Sequence, residues 1–403
     1  MYNPGAKNTI DNPIMDLRFT EEQEQFRSRL RGWLKENLER PWIEDLRDPA
    51  MDADKLFDVR RRWQAKLNKA GYLGMDWPAE WGGRGATAVE KAIFAEETIH
   101  TPPIASRVGI NLLAPALIRH GTEEQRRRFL PKMVSGEEIW CQGFSEPDAG
   151  SDLAALRTRA EPDGEHFRLF GQKVWTTFGP WSDWIFVLGR TDPKDRYGGI
   201  TFFLVDMHQD GVQVRPIRQI TGESEFSETF FNGALARREH IVGKIGEGWT
   251  IAMTVLAYER GSMSLAHPAR YEAYLSDLVA ALGESGMIRR PDVREKVGRL
   301  LVEKEVMRAN GLRTLATLAS GRALGAEASF EKLFWTEYSQ RLADTALELL
   351  GLQGHLRVKS PYARRDMDWG HEAVWCRAVT IYAGSNEIQR NIIAKRLLKL
   401  PSD

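Results

Sequence analysis

The spacing of apolar side chains changes period twice along the chain. Thr20 and Gln23 form a capping box, and Phe26, Leu30, Trp33, Leu34 and Leu38 then recur at helical spacing, which predicts one amphipathic helix. Similar runs predict helices around 54–70, 87–100 and 106–119, and a second capping box, Thr122 with Gln125, opens FLPKM. The glycine-rich WPAEWGGRGAT reads as a loop between them. From about residue 140 the grammar is different: HFRLF, DWIFVLGR, GITFFLVDM, GVQVRPI and SETFF are short, rich in β-branched and aromatic residues, and separated by turn signals. After Gly248 helical spacing returns, at roughly 249–281, 291–319, 329–350 and 372–398. The expected fold class is α+β, mostly α: an N-terminal helical domain (1–138), a central β-barrel-like domain (139–247) and a C-terminal helical bundle (248–403).

Composition narrows the function. A chain of 403 residues buries a large core, and 56 Lys plus Arg balance 56 Asp plus Glu, so no global field recruits nucleic acid or an anionic membrane. Cys141 and Cys376 are the only cysteines and form no CxxC pair, which argues against a disulfide framework or a thiolate metal site. The N-terminus lacks a basic-then-apolar leader, and no stretch approaches the ~18 apolar residues that a membrane span needs. A cytoplasmic location is expected.

Several common chemistries lack their motifs. The eight histidines include no HExxH and no pair at i, i+4, so no metal site is expected. There is no GxSxG elbow, and GKIGEGW is not followed by the Lys-Ser/Thr of a phosphate-binding loop. The GGRG at 82–85 is not preceded by a strand, which weakens a dinucleotide-fold reading.

Three segments carry a positive signal. WCQGFSEPDAGSDLAAL (140–156) resembles a signature of the flavin-dependent acyl-CoA dehydrogenase family, GQKVWTTFG (171–179) resembles the family's NGxKxWITN strand, and YAGSNEIQRNIIAKR resembles its C-terminal signature. The WPxEWGGRG loop and GTEEQRRRFLP extend the resemblance over nearly all of the chain. It implies a helical domain, a central β-domain and a C-terminal four-helix bundle, the same element order as the periodicity. It also implies FAD as cofactor. Gln142, Phe144 and Ser145 would lie beside the flavin with backbone and hydroxyl donors, Trp175 and Thr177 would flank the isoalloxazine, and Ser385 and Glu387 would touch FAD from the C-terminal signature. Ser151 would lie near the acyl-CoA entrance, and Gly384 would let substrate approach the backbone closely. Each also has a plainer role: Trp175 as core, Ser145 as a turn residue, Ser385 as a helix N-cap.

Many members of the family carry a catalytic glutamate one residue after the tyrosine of the third signature, where this chain has Ala383. Others supply it from an earlier helix in an ER dipeptide, and Glu259-Arg260 in LAYERGSM resembles that arrangement. Trp249, Ala252, Leu256, Glu259 and Met263 fall at steps of three and four, which places Glu259 on an otherwise apolar stripe. A carboxylate there loses hydration, and its pKa rises toward the range useful to a general base. The resemblance implies that Glu259 takes the α-proton of an acyl-CoA thioester while hydride from the β-carbon goes to flavin N5, with Arg260 near CoA. The plainer alternative for Glu259 is a buried ion pair with an arginine.

Some positions depart from the family pattern. ELLGLQG (348–354) resembles its QIFGGNG segment, but Glu348 replaces the glutamine and Leu352 the second of the paired glycines. GMIRRPDVREK stands near where the family has an RxxFG run that usually contributes FAD contacts from a neighbouring subunit, and Gln142 stands where an aromatic is common in some members. Two rivals to acyl-CoA dehydrogenation therefore stay open: a partner subunit of a heteromer with an incomplete flavin site, and a flavin monooxygenase on the same fold. The partners implied are an acyl-CoA, an electron-transfer flavoprotein as acceptor, and further subunits in a homo-oligomer or a heteromer.

Overall fold

The structure, a computed structural model, describes residues 18–46, 48, 50–258, 265–322, 324–358, 360–362 and 367–401. The first helices are α1 (Glu21–Asn37), α2 (Arg40–Leu46), α3 (Ala53–Ala70), α4 (Ala88–Glu97), α5 (Ala114–His120) and α6 (Glu123–Ser135). Both expected capping boxes form, Thr20 with Gln23 on α1 and Thr122 with Gln125 on α6. Gln125 does more than cap: its Nε2 donates to the carbonyls of Glu239 and Ile241 at 2.8 Å each, which pins the end of the sheet to α6. Gln64, fully buried on α3, accepts from Ser106 N at 2.7 Å and donates to Met133 O at 2.9 Å. Buried backbone groups in this irregular stretch thereby find partners that no helix supplies.

The strands are β1 (Trp140–Gly143), β2 (Arg159–Asp163), β3 (His166–Thr177), β4 (Trp184–Arg190), β5 (Ile200–Asp206), β6 (Val212–Ile217), β7 (Phe226–Ala236) and β8 (Ile241–Val242). They form one sheet in the order β6-β7-β3-β2-β4-β5-β8, with β1 running parallel to β4. One face packs Phe186, Phe202 and Leu204 with Leu117, Phe129, Ile251 and Val255 from the helices. The other builds a separate core from Val187, Phe203, Val205 and Phe231.

The last helices are α7 (Gly248–Tyr258), α8 (Ala266–Glu284), α9 (Pro291–Ala319), α10 (Ala328–Leu350), α11 (Trp369–Val379) and α12 (Asn386–Ile392). Helices α8, α9, α10 and α11 surround a core of Tyr271, Leu275, Leu300, Tyr338, Leu342 and Trp369, the expected four-helix bundle. The run expected at 372–398 is broken: α11 ends at Val379, and Ser385 caps a new helix. Ala383 at φ 55° and Gly384 at φ 80° turn the chain between the two, a conformation that ends any right-handed helix. No helix of the described residues is long and apolar enough to cross a membrane.

Candidate functional site

The two central signature segments meet at the end of β1 and in β3. Val174 N donates to Ser145 O at 3.0 Å. Lys173, with no exposed surface, donates from Nζ to Phe144 O at 3.2 Å and to Glu146 Oε1 at 2.8 Å. The Glu146 carboxylate also accepts from Arg157 N at 2.6 Å, Thr158 N at 2.8 Å and Thr158 Oγ1 at 2.6 Å. Burial opposes ionisation of Glu146, but the Lys173 charge and these donors outweigh it and hold its pKa below the ordinary carboxylate value. Burial lowers the Lys173 pKa to about 8, with the Glu146 charge opposing the fall. The pair is ionised at neutral pH and clamps the segment 144–146 against β3.

The clamp leaves donors and an aromatic face free. Phe144 is buried edge-on against Phe186 and Phe202, so it offers its backbone and not its ring. Ser145 is half-buried, and its N–H has no acceptor among the described residues. Gln142 on β1 and Thr177 at the end of β3 are half-buried as well, and Ser151 is exposed. Trp175 is not core: it is 58% exposed, at φ 60°, inside the register shift between Lys173 and Thr176, with its ring edge-on to Phe226. A large side chain in the left-handed region is a genuine outlier, and such strain clusters where function requires it. Of the four non-glycine residues with positive φ among the described residues, Trp175, Phe178 and Ala383 lie in the second and third signature segments.

The third signature forms its own small structure. Ser385 accepts from Ile388 N at 3.4 Å as the N-cap of α12 and is half-buried, so the plainer role is filled. The Glu387 side chain is exposed. Gln389, almost fully buried, donates from Nε2 to Ala383 O at 3.3 Å and to Gly384 O at 3.0 Å, and Asn386 Oδ1 accepts from Lys332 Nζ at 3.0 Å and Thr336 Oγ1 at 3.1 Å. These contacts hold the turn against α10. The geometry thus gathers Phe144, Ser145 and Trp175 in one place and Gly384, Ser385 and Glu387 in another. No hydrogen bond or ion pair among the described residues joins the two groups directly. Glu259 and Arg260 lie outside the described residues.

A further contact joins the strand domain to the N-terminal end of α11. His371 on α11 meets Glu223, from the loop between β6 and β7, at 2.7 Å. Burial opposes ionisation of Glu223, but hydrogen bonding to His371 and the His371 charge carry its pKa from 4.5 to about 2. The hydrogen bond to Glu223 and its charge raise His371, with Asp368 helping and Arg357 opposing. The carboxylate contribution is complete above 4.5 and fades as pH falls toward about 2. The imidazolium contribution is complete below 6.5 and fades as pH rises through the raised His371 value. Thermal melts over a pH series will therefore show Glu223→Gln costing most between pH 4.5 and 6.5, and less in the alkaline range, where His371 is neutral. A cost that persists undiminished at alkaline pH contradicts the pairing.

Glu146, Lys173, Asn386 and Gln389 were not singled out from the sequence, although all four stand inside the quoted signatures. Their identity was visible, but their pairing across the fold was not. Cys141 and Cys376 are free and buried, and burial pushes each thiol up to about 12, which leaves them unreactive.

Three family profiles cover the chain: the acyl-CoA dehydrogenase N-terminal domain matches residues 20–137, the middle domain 141–234 and the C-terminal domain 246–398. The chain belongs to the acyl-CoA dehydrogenase family. Acyl-CoA dehydrogenase IpdE1 of Mycobacterium tuberculosis is 39% identical over 388 residues, which cover 95% of this chain and 99% of that protein. Among solved structures, one described as the Tcur3481-Tcur3483 steroid ACAD superposes with a TM-score of 0.87 at 28% identity, covering 96% of this chain and 100% of that one. The ChsE4-ChsE5 complex from Mycobacterium tuberculosis gives 0.86 at 29% identity, with 96% and 100% covered. The three-part acyl-CoA dehydrogenase fold expected from the sequence is the one observed, and this chain is an enzyme of that family.

Proposed function

We propose that this acyl-CoA dehydrogenase carries out FAD-dependent α,β-dehydrogenation of an acyl-CoA thioester in the cytoplasm, with Glu259 as the base. The observation that carries the reading is the pairing of an exposed, left-handed Trp175 with the acceptor-less Ser145 N–H on a clamped segment. An aromatic face and a fixed donor suit a planar ring with a polar edge. FAD bound there supplies the acceptor for a hydride from the substrate β-carbon. Phe144 and Gln142 lend backbone donors, Ser145 its N–H and hydroxyl, Thr177 a hydroxyl beside the ring, and Ser385 and Glu387 further contacts. Ser151 and Arg260 bind the CoA portion, and Gly384 admits the thioester to the backbone.

Glu259 takes the α-proton onto its carboxylate. Ala383 holds only a methyl group where other members have the base, and position 259 comes four residues after the fully buried Val255. The described part of the stripe supports that placement: Ala252 is buried, and Trp249 and Leu256 pack half-buried against the same core. With relatives described as steroid ACADs, a bulky polycyclic acyl group is the substrate class we favour, with an electron-transfer flavoprotein as the onward acceptor.

A second reading, subunit of a heteromer, has its own support. Leu352, in place of a family glycine, is 87% exposed, Leu301, Val302 and Val306 line an apolar stripe on α9, and two similar structures are described by paired names. The test is the flavin content of the protein purified alone and with a co-expressed homologous subunit. Full FAD occupancy alone supports a homo-oligomer, and FAD taken up only with the partner supports the heteromer. A chain that takes up no flavin in either state contradicts both.

A further inference from the structure

The geometry points to Lys173 as a positioning residue that strengthens the Ser145 N–H as a donor to the flavin. The carbonyl of Phe144 and the N–H of Ser145 belong to one peptide group. Lys173 Nζ donates to that carbonyl at 3.2 Å from a side chain with no exposed surface, while the N–H at the other end of the same amide has no acceptor among the described residues. A cation on the oxygen draws electron density through the conjugated amide and leaves the N–H more acidic. Hydrogen bonds in chains strengthen one another by roughly 10–30% per bond, and more strongly where water is excluded.

Glu146 makes this arrangement sustainable. An isolated ammonium loses its proton when buried, but Glu146 Oε1 at 2.8 Å keeps Lys173 charged, and Arg157 N, Thr158 N and Thr158 Oγ1 fix that carboxylate in turn. Val174 N on Ser145 O at 3.0 Å sets the plane of the following peptide. The charge sits one amide away from the donor instead of touching the ligand. Charge that builds up on the ring when it accepts electrons is therefore favoured, while the neutral oxidised ring gains less. The pair tunes reduction as well as binding. This inference rests on the flavin reading above.

The test is the midpoint potential of bound FAD, together with the affinity of apoprotein for oxidised FAD, in wild type, Lys173→Met and the double variant Lys173→Met/Glu146→Gln, each purified with any subunit that accompanies it. The double variant removes both charges, a replacement that buried pairs often tolerate, and so guards against misfolding of the single variant. The expected result is that reduced FAD loses about tenfold more affinity than oxidised FAD, a shift of about 30 mV to more negative potential for a two-electron couple. A purely structural clamp would weaken both forms equally and leave the potential in place. An unchanged potential in a folded variant overturns the inference and leaves the flavin reading intact, whereas a wild-type protein that takes up no FAD overturns both.

Discussion

Glu259→Gln will slow acyl-CoA-driven bleaching of the bound flavin by about 10²–10⁴-fold, the range a positioned general base contributes. The amide keeps the size and shape of the carboxylate, so FAD content and thioester binding should persist while proton removal fails. No substitute stands at the hinge, because Ala383 has no titratable group and the Glu387 carboxylate faces solvent. Anaerobic stopped-flow of the variant beside wild type checks it. Unchanged bleaching with FAD retained would remove position 259 from the mechanism.

Glu146→Ala is expected to destabilise the apoprotein by about 3–5 kcal/mol, the cost of breaking a buried ion pair by removing one partner. The loss leaves the fully buried Lys173 with only the Phe144 carbonyl and strands the Arg157 and Thr158 amides and the Thr158 hydroxyl. Lys173→Met should cost less, because the remaining carboxylate keeps those three donors. Urea unfolding of the two variants gives the order directly. A milder effect for Glu146→Ala than for Lys173→Met would mean that the lysine, not the carboxylate, organises the segment.

What the sequence revealed depended on the range of the interaction. Capping boxes need four consecutive residues, and both Thr20/Gln23 and Thr122/Gln125 form as read. The strands from HFRLF to SETFF appear as β3 to β7 because β-branched and aromatic content bounded by turn signals is a local mark of a strand, whether the run alternates or, as in β4 and β5, is buried throughout. The three short strands β1, β2 and β8 escaped: four and two residues carry no period of their own, their pairing with β4 and β5 is long-range, and β2 reads RAEPD, polar and with a proline. The apolar stripe on α7 was located, but Ile251 and Val255 bear more of the burial than Trp249 and Leu256, a rotation that only the packing partners determine.

The site shows the same division. Trp175 was recognisable by its motif, yet its exposure and left-handed backbone come from a bulge in the β3–β7 pairing that no local pattern announces. Lys173 and Glu146 are 27 residues apart in the chain, and a lysine inside an otherwise alternating strand reads as solvent-facing until its partner is seen. Gln389 looked like one more polar residue of a helix, although its amide holds the turn at Ala383 and Gly384.

Acyl-CoA dehydrogenation by this chain is tested most directly by anaerobic titration of the FAD-loaded protein with a panel of CoA thioesters, from short straight chains to steroid-sized acyl groups. The expected result is stoichiometric loss of the oxidised flavin absorbance with at least one bulky thioester, and one equivalent of the 2-enoyl-CoA formed for each flavin reduced. A flavin that stays oxidised with every thioester, or that is reduced only by a nicotinamide donor and then consumes oxygen, would contradict it.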